Sequence, residues 1–101
     1  MLISEAADLM RLLADPLRAR IVEILSRGPA CVCHLVADTG AKQPNISGHL
    51  RLLREAGLVT AEPRWRYTYY RLVPEMLGAA AAQLSELATD ARANADTYRE
   101  C

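Results

Sequence analysis

The spacing of the apolar residues changes after Gly57, and this change limits the fold more than any other feature of the chain. Before Gly57, apolar residues recur every three or four positions in four segments, the period of helices that bury one face. After Gly57, two short runs are rich in β-branched and aromatic residues, as strands are. From Pro74 onward the helical spacing returns. The chain is therefore predicted to be mainly α, with a two-stranded β-hairpin.

Helix start and stop signals give the boundaries of these segments. Asp15-Pro16 combines an N-cap residue with a proline at the first helical position, and Gly28, Gly40 and Gly57 each end a helix. The pattern predicts helices over 2–13, from 16 up to Gly28, over 31–39, over 44–56, and from 74 to about 99. Strands are predicted at 58–61 and 67–73, with a hairpin tip at 62–66. This order is that of a winged helix-turn-helix with an additional helix at each end.

The charges of this chain are unevenly distributed. The 101 residues are expected to form one domain, 1–101, whose formal net charge is zero. Residues 42–71 contain six basic and two acidic side chains, a local excess of +4 that the rest of the chain balances with −4. A basic middle with acidic ends suits a polyanion such as nucleic acid, although a solvated charged face is the alternative. The basic residues are Lys42, Arg51, Arg54, Arg64, Arg66 and Arg71.

Two absences from the sequence favour an intracellular protein. No stretch approaches the roughly 20 apolar residues that cross a bilayer, and the first ten residues carry Glu5 and Asp8 without the basic start of a signal peptide. The protein is therefore expected in the cytoplasm, with no membrane partner. Its three cysteines are an odd number and do not form a disulfide framework, so metal binding, redox sensing and simple burial remain open for them.

The stretch 35–50 reads as a helix-turn-helix, the unit that places its second helix in the major groove of DNA. Glutamine and asparagine can make bidentate hydrogen bonds to adenine and arginine to guanine, while small residues allow a helix close to the bases. Arg64 and Arg66 in the hairpin tip are placed to reach phosphates or a neighbouring groove. A polar surface helix in any bundle is the alternative. The predicted DNA-binding residues of the second helix are Lys42, Gln43, Asn45, Ser47, Gly48, His49 and Arg51.

The first and last predicted helices carry apolar stripes that a core of this size cannot cover completely. The stripes include Ile3 and Leu9 in the first helix and Leu84 and Leu87 in the last. Alanines in the last helix, such as those at 79–82, permit close approach of another helix. These terminal helices are therefore predicted to be dimerisation helices that join two copies of the chain in a homodimer.

Five segments match one family pattern in order and spacing: LADPLR at 13–18, CVCHL at 31–35, QPNISGHLRLL at 43–53, AGLV at 56–59 and YYRL at 69–72. Over roughly residues 9–77 the chain thus resembles the ArsR/SmtB family of bacterial metal-sensing transcriptional repressors. The resemblance implies a winged helix-turn-helix homodimer that binds operator double-stranded DNA, with residues 42–51 as the recognition helix. Two positions depart from the family pattern: Lys42 replaces the frequent Ser or Thr cap, and Trp65 replaces the usual glycine of the hairpin tip.

Cys31-Val32-Cys33 lies at the predicted start of the third helix, just before the DNA-reading unit. By resemblance, family members with this segment sense As(III) or Sb(III), and some branches sense cadmium or lead. Thiolates are the ligands that select soft ions, and a helix N-terminus with Arg27 nearby is expected to lower a thiol pKa. Residues two apart on a regular helix point about 200° from each other. Binding both thiols is therefore expected to unwind the first turn and to shift the helix that supports residues 42–51. The alternative is that both cysteines are small buried apolar residues.

The third ligand of a trigonal As(III) site is missing from this segment. In the three-cysteine version of the family segment it would fall at Val36. Cys101 is the remaining thiol and is predicted to join Cys31 and Cys33 at the metal site if the tail folds back, the alternative being a disordered terminal residue. His34 is a candidate nitrogen ligand for a harder ion or a plain surface residue. A second family site, for zinc on the last helix, is not expected because residues 75–101 contain no histidine.

Three functions compete on this evidence. The leading one is a repressor that As(III) or Sb(III) releases from DNA by binding Cys31 and Cys33. The second has the same fold and another input: cadmium or lead, a thiol redox switch, or no ligand. The third, a thiol oxidoreductase, is disfavoured because such enzymes use Cys-x-x-Cys in a strand–helix setting. The chain is therefore predicted to be a regulator without an organic cofactor, and not an enzyme.

Overall fold

The computed structural model describes residues 4–101, so the predicted helical positions 2 and 3 lie outside the described residues. Five helices and three short strands make up the described chain, and the predicted winged helix-turn-helix with terminal helices is confirmed. The helices are α1 Ser4–Leu13, α2 Pro16–Leu25, α3 Val32–Thr39, α4 Gln43–Glu55 and α5 Pro74–Ala93; the strands are β1 Ala30–Cys31, β2 Val59–Arg64 and β3 Tyr67–Leu72.

The helix ends follow the predicted capping signals. The Asp15 carboxylate accepts hydrogen bonds from the backbone N–H groups of Leu17 and Arg18, at 2.9 and 3.0 Å, and thereby caps α2. Gly57 has a φ of 85°, and the N–H of Leu58 donates to the carbonyl of Leu53 at 3.0 Å. This is the Schellman arrangement, in which a left-handed residue ends a helix at no steric cost only if it is glycine. The end of α4 and the start of β2 are fixed by this turn.

The sheet has one strand more than predicted. The strand order is β1-β3-β2, and the two-residue β1 pairs antiparallel with β3, with Ala30 opposite Tyr70 and Cys31 opposite Tyr69. The hairpin is also tighter than predicted, because β2 continues through Pro63 as far as Arg64. Proline lacks the N–H that a central strand needs, but β2 is an edge strand of the described sheet and tolerates it. The predicted five-residue tip is therefore reduced to two residues, 65 and 66.

The core lies where α2, α3 and α4 meet the base of the hairpin. Its largest fully buried side chains are Ile21, Leu35, Ile46, Leu50, Leu53, Leu58 and Val59. α1 packs against the first half of α5, and the backbone N–H of Ala6 donates to the Gln83 side chain at 2.9 Å. This arrangement holds α4 by one face only and leaves its other face to the solvent.

The second half of α5 extends beyond this core. Ala80 is its one buried residue among those described, and from Leu84 onward every residue is exposed. The helix ends at Ala93 rather than near residue 99. Its C-cap residue, Asn94, has backbone angles of −109° and 22°, and both its backbone N–H and its side chain donate to the Asp90 carbonyl, at 2.9 and 3.0 Å. The molecule is accordingly elongated, 62 × 22 × 21 Å.

Candidate nucleic-acid interface and thiol site

The outer face of α4 presents most of the predicted DNA-binding residues to solvent. Ile46, Leu50 and Leu53 point into the core at spacings of four and three residues, so the positions between them face outward. Lys42 is the N-cap residue of α4 and makes no side-chain capping bond, which leaves its ammonium group available to a phosphate. The exposed residues of this face are Lys42, Gln43, Asn45, Ser47 and Arg51.

Gly48 and His49 are half-buried and lie closer to the core than predicted. The His49 ring is in contact with the start of α2: its Nε2 lies 3.8 Å from the Asp15 carboxylate, and its Nδ1 lies 3.3 Å from the Arg18 guanidinium. The hydrogen bond from the backbone N–H of Arg18 holds the pKa of Asp15 below its usual value; it outweighs the opposing effect of desolvation, and the neighbouring His49 adds a smaller lowering effect. His49 therefore links α4 to the cap of α2, in addition to any role at a base or phosphate.

The hairpin tip carries its two predicted arginines on either side of Trp65, and all three residues are exposed. Trp65 has a φ of 60°, and the Arg66 guanidinium lies over its ring, 4.4 Å from the ring centre. At the base of the same hairpin, Arg71 forms an ion pair with Glu62 across the strands, at 3.4 Å. Arg64 and Arg66 are in none of the salt bridges that the structure forms within residues 4–101, so their positive charge remains available at the tip.

Cys31 and Cys33 lie side by side, contrary to the predicted geometry. Cys31 is not in the helix: it is the N-cap residue of α3, with extended backbone angles of −95° and 171°, and it ends β1. Its sulfur therefore turns back toward Cys33, and the two Sγ atoms are 2.7 Å apart. The expectation that both thiols can meet one ion only by unwinding the first turn of α3 is wrong, because the helix begins after the first thiol.

His34, which was predicted to be either a nitrogen ligand for a harder ion or a plain surface residue, completes this cluster. The backbone N–H of Cys31 donates to His34 Nδ1 at 3.1 Å, and the same nitrogen lies 3.2 Å from the Cys31 sulfur. The His34 backbone N–H faces the Cys31 side chain in return, so the two residues form a capping box from unusual residue types. Ligand atoms of Cys31, Cys33 and His34 all lie within 4.8 Å of one another.

The two thiols have pKa values shifted in opposite directions. Burial raises the pKa of Cys31, but the hydrogen bond from the Cys33 thiol and those from backbone N–H groups outweigh it and lower the pKa. The same Cys31–Cys33 hydrogen bond, followed by desolvation and by the charge of the Cys31 thiolate, raises the pKa of Cys33. Cys31 is thus the first of the pair to become a thiolate. Arg27, which was expected to assist, is exposed beyond the end of α2.

The thiol cluster faces the hairpin as well as the DNA-reading unit. β1 places Cys31 opposite Tyr69 of β3, and the His34 and Tyr69 rings are 6.0 Å apart. A surface cavity is shared between the cysteine segment and the hairpin; its lining includes Cys31, Cys33, Arg66, Tyr67 and Thr68. Cys101 is exposed in the tail that follows α5 and is not among the residues of this cluster in the described chain.

The helix-turn-helix of α3 and α4, followed by the β2–β3 hairpin, defines the class of this protein as a winged helix-turn-helix DNA-binding protein. The family model of bacterial regulatory proteins of the arsR family matches residues 15–61. Over 80 residues the chain is 42% identical to the arsenical resistance operon repressor of Escherichia coli, a match covering 78% of this chain and 68% of that protein. The chain therefore belongs to the arsR family, and its predicted resemblance is confirmed.

Two further relatives agree with this assignment. The arsenic resistance transcriptional regulator of Pseudomonas putida is 45% identical over 65 residues, covering 63% of this chain and 51% of that protein, about half its length. A crystal structure described as a possible transcriptional regulator for arsenical resistance has a TM-score of 0.69 and 40% sequence identity, covering 77% of this chain and 81% of that one. Fold and relatives together identify a DNA-binding transcriptional repressor of the arsR family, not an enzyme.

Proposed function

We propose that this protein is a homodimeric repressor that binds operator double-stranded DNA and leaves it when As(III) or Sb(III) binds at Cys31 and Cys33. The observation that carries the proposal is the contact between the two thiol sulfurs, 2.7 Å apart at the start of α3. Similarity to relatives named for arsenic resistance supports the choice of ligand. No helix in the described residues is long and apolar enough to cross a membrane, and a repressor acts where the chromosome is, in the cytoplasm.

Residues on α4 and on the hairpin tip have different roles in DNA binding. α4 enters the major groove with Gln43 and Asn45 near its N-terminus, where the side chains of a recognition helix reach base edges. Charged groups fix the register on the backbone by contacting phosphates, and the exposed Lys42, Arg64 and Arg66 serve that purpose. The remaining α4 residues assigned to the interface are Ser47, Gly48, His49 and Arg51.

The chemistry of the thiol pair suits a trivalent metalloid. Arsenious acid exchanges hydroxide for thiolate, so each As–S bond forms as one thiol proton leaves with one hydroxide as water. Soft thiolate sulfurs favour this ion over harder ones, and the lowered pKa of Cys31 supplies the first thiolate. The third position is taken by Cys101 from the tail of either subunit or by a hydroxide that the arsenic retains.

Release of DNA follows from where the thiols sit, not from an unwound helix. Cys31 belongs to the same sheet as the hairpin, through its pairing with Tyr69, and Cys33 belongs to the helix that supports α4. An ion that fixes both sulfurs therefore acts on both DNA-contacting elements. The ligand shifts the equilibrium only by binding the DNA-free conformation more tightly. A typical coupling of about 1–3 kcal/mol lowers operator affinity roughly 5- to 150-fold.

The dimer forms through the terminal helices. Leu84 and Leu87 are 46% and 48% exposed, and they continue along α5 the same face that buries Ala80 against α1. Met10 of α1 is 52% exposed. Apolar side chains that continue a core-facing stripe past the end of the core are the expected contact for a second copy.

A soft divalent cation is the second candidate input, favoured by the position of His34. Cd(II) or Pb(II) would take the two sulfurs and the histidine nitrogen, whose atoms lie within 4.8 Å of one another. The variant His34→Ala distinguishes between the two candidate inducers: it should weaken the response to Cd(II) and leave the response to arsenite intact.

The release of the protein from its DNA tests the proposal directly. A duplex enriched from a random-sequence pool by the reduced wild-type protein is labelled, and its anisotropy is followed during titration with arsenite, antimonite, Cd(II) and Pb(II). Cys33→Ser protein should bind this duplex normally and remain bound in arsenite. Cys101→Ser is the matched control, and it should show a partial loss of response only if the tail supplies a ligand. If protein with Cys31→Ser and Cys33→Ser leaves the duplex at the wild-type arsenite concentration, the sensing site is elsewhere.

A further inference from the structure

Trp65 occupies a position in the hairpin that is unfavourable for a large side chain. The β2–β3 pairing ends with Arg64 opposite Tyr67, which leaves a two-residue loop whose first residue, Trp65, has a φ of 60°. A positive φ at the first loop position is the pattern of a type II′ turn, where glycine is preferred. The backbone at this residue is therefore strained for an amino acid with a β-carbon, and residual strain of this kind concentrates at functional positions.

The Trp65 side chain makes few contacts with the rest of the described chain that could offset this backbone strain. Trp65 is 88% exposed, the highest value among the large apolar side chains of the described residues. Its contact with the Arg66 guanidinium, 4.4 Å from the ring centre, covers one face of the indole and fixes the cation beside it. The ring and the charge thus project together from the narrow end of the hairpin, with Arg64 next to them.

We propose that Trp65 enters the minor groove of the DNA duplex, beside the major groove that α4 reads, and packs its open face against the groove wall. This inference rests on the proposed DNA-binding function. Proteins that bind the minor groove commonly place apolar side chains in it, often between base steps, together with arginines that its negative potential attracts. A two-residue loop is slender enough for a groove about 6 Å wide. A tip-to-tip contact with a second copy of the chain is unfavourable, because it would bring Arg64 and Arg66 against the same positive charges.

The sole tryptophan of the chain makes the contact measurable without a label. In the free protein, acrylamide should quench the emission of Trp65 as it does an exposed indole, and saturation with the enriched duplex should reduce this quenching several-fold. Trp65→Ala should lower affinity for that duplex about tenfold without changing the dependence on salt. Arg66→Ala should lower affinity and also reduce the salt slope by about one, because it removes one phosphate or groove charge.

Two variants separate a lost contact from a damaged hairpin. Trp65→Gly suits the positive φ and keeps the turn, so it should lose affinity as Trp65→Ala does. Tyr98→Ala removes an equally exposed aromatic residue, 85% exposed in the tail, and should leave affinity unchanged. If Trp65→Gly binds as tightly as the wild type and the indole stays open to acrylamide in the complex, the inference is overturned while DNA binding stands. If the wild type enriches no duplex, the proposed function itself fails. If quenching falls with rising protein concentration in the absence of DNA, a second copy covers the indole and the minor-groove contact is wrong.

Discussion

Gly48→Ala should make the protein more stable and a weaker DNA binder. Gly48 lies inside α4, and a β-carbon built there meets no heavy atom within 4 Å, so alanine fits without displacing a neighbour. In a helix interior alanine is favoured over glycine by about 0.8–1.0 kcal/mol. For a domain of this size, about 1 kcal/mol corresponds to a Tm increase of about 4–8 °C. The same methyl group lies on the half-exposed side of the recognition helix, where it would hold the backbone away from the bases.

Gly78→Ala provides the matched control for this prediction. Gly78 is exposed in α5, a β-carbon there also meets nothing within 4 Å, and it lies about 200° around the helix from the buried Ala80. It should raise Tm by a similar amount and leave DNA affinity unchanged. Thermal unfolding followed by circular dichroism at one protein concentration gives the first quantity, and anisotropy on the enriched duplex gives the second. A loss of stability in Gly48→Ala alone would refute the open space around Gly48, and unchanged DNA affinity would refute its approach to the bases.

Three further outcomes are expected. Gln43→Ala should lose about 1–3 kcal/mol of binding free energy on the enriched duplex and relax the sequence preference of the protein. Arg64→Ala should weaken binding to all sequences alike and reduce the salt dependence of the affinity. Equal losses of affinity on enriched and random DNA for Gln43→Ala would contradict base reading. The lowered pKa of Asp15 adds stability that is present above the usual value of 3.8 and is lost as the pH falls through the folded-state pKa. Asp15→Asn, which keeps a cap, should therefore reduce the loss of unfolding free energy at acid pH, measured by urea unfolding. Asp96→Asn in the tail should leave that loss unchanged. Sedimentation at micromolar concentration should show a dimer, and Leu87→Glu should yield a monomer; a monomeric wild type would exclude the proposed interface.

The order of the elements and most of the helix ends could be predicted from the sequence because their causes are local. Asp15 and Gly57 act through their own backbone neighbours, so one chain suffices to read them. The end of α5 was predicted too late because the apolar spacing continues to residue 95, while the helix itself stops at Ala93. The spacing of apolar residues indicates which face of a helix can be buried, but it does not indicate where along the chain the helix ends.

The thiol site depended on a contact that no local pattern reveals. β1 has two residues, too few for an alternation of apolar and polar positions. It exists because β3 pairs with it from further along the chain, with Ala30 opposite Tyr70, 40 positions away. That pairing keeps Cys31 extended and outside α3, which brings its sulfur to Cys33. Cys31 and Cys33 were predicted to act together, and their sulfurs are in contact, but their relative orientation required the tertiary structure. His34 was weighed as a ligand, and its capping role was missed because cysteine and histidine are not usual capping residues.

In the proposed dimer, the exposed second half of α5 would make the stability of this protein depend on its concentration. Leu84 and Leu87 are 46% and 48% exposed against the described residues of their own chain, so the free energy of burying them completely enters folding only when the proposed dimer forms. By mass action, each tenfold dilution of a dimer that unfolds to separate chains removes about 1.4 kcal/mol from its apparent stability. A cell that makes few copies therefore holds a less stable pool of repressor than one that makes many, and the copies least able to find a partner are the first available to proteases.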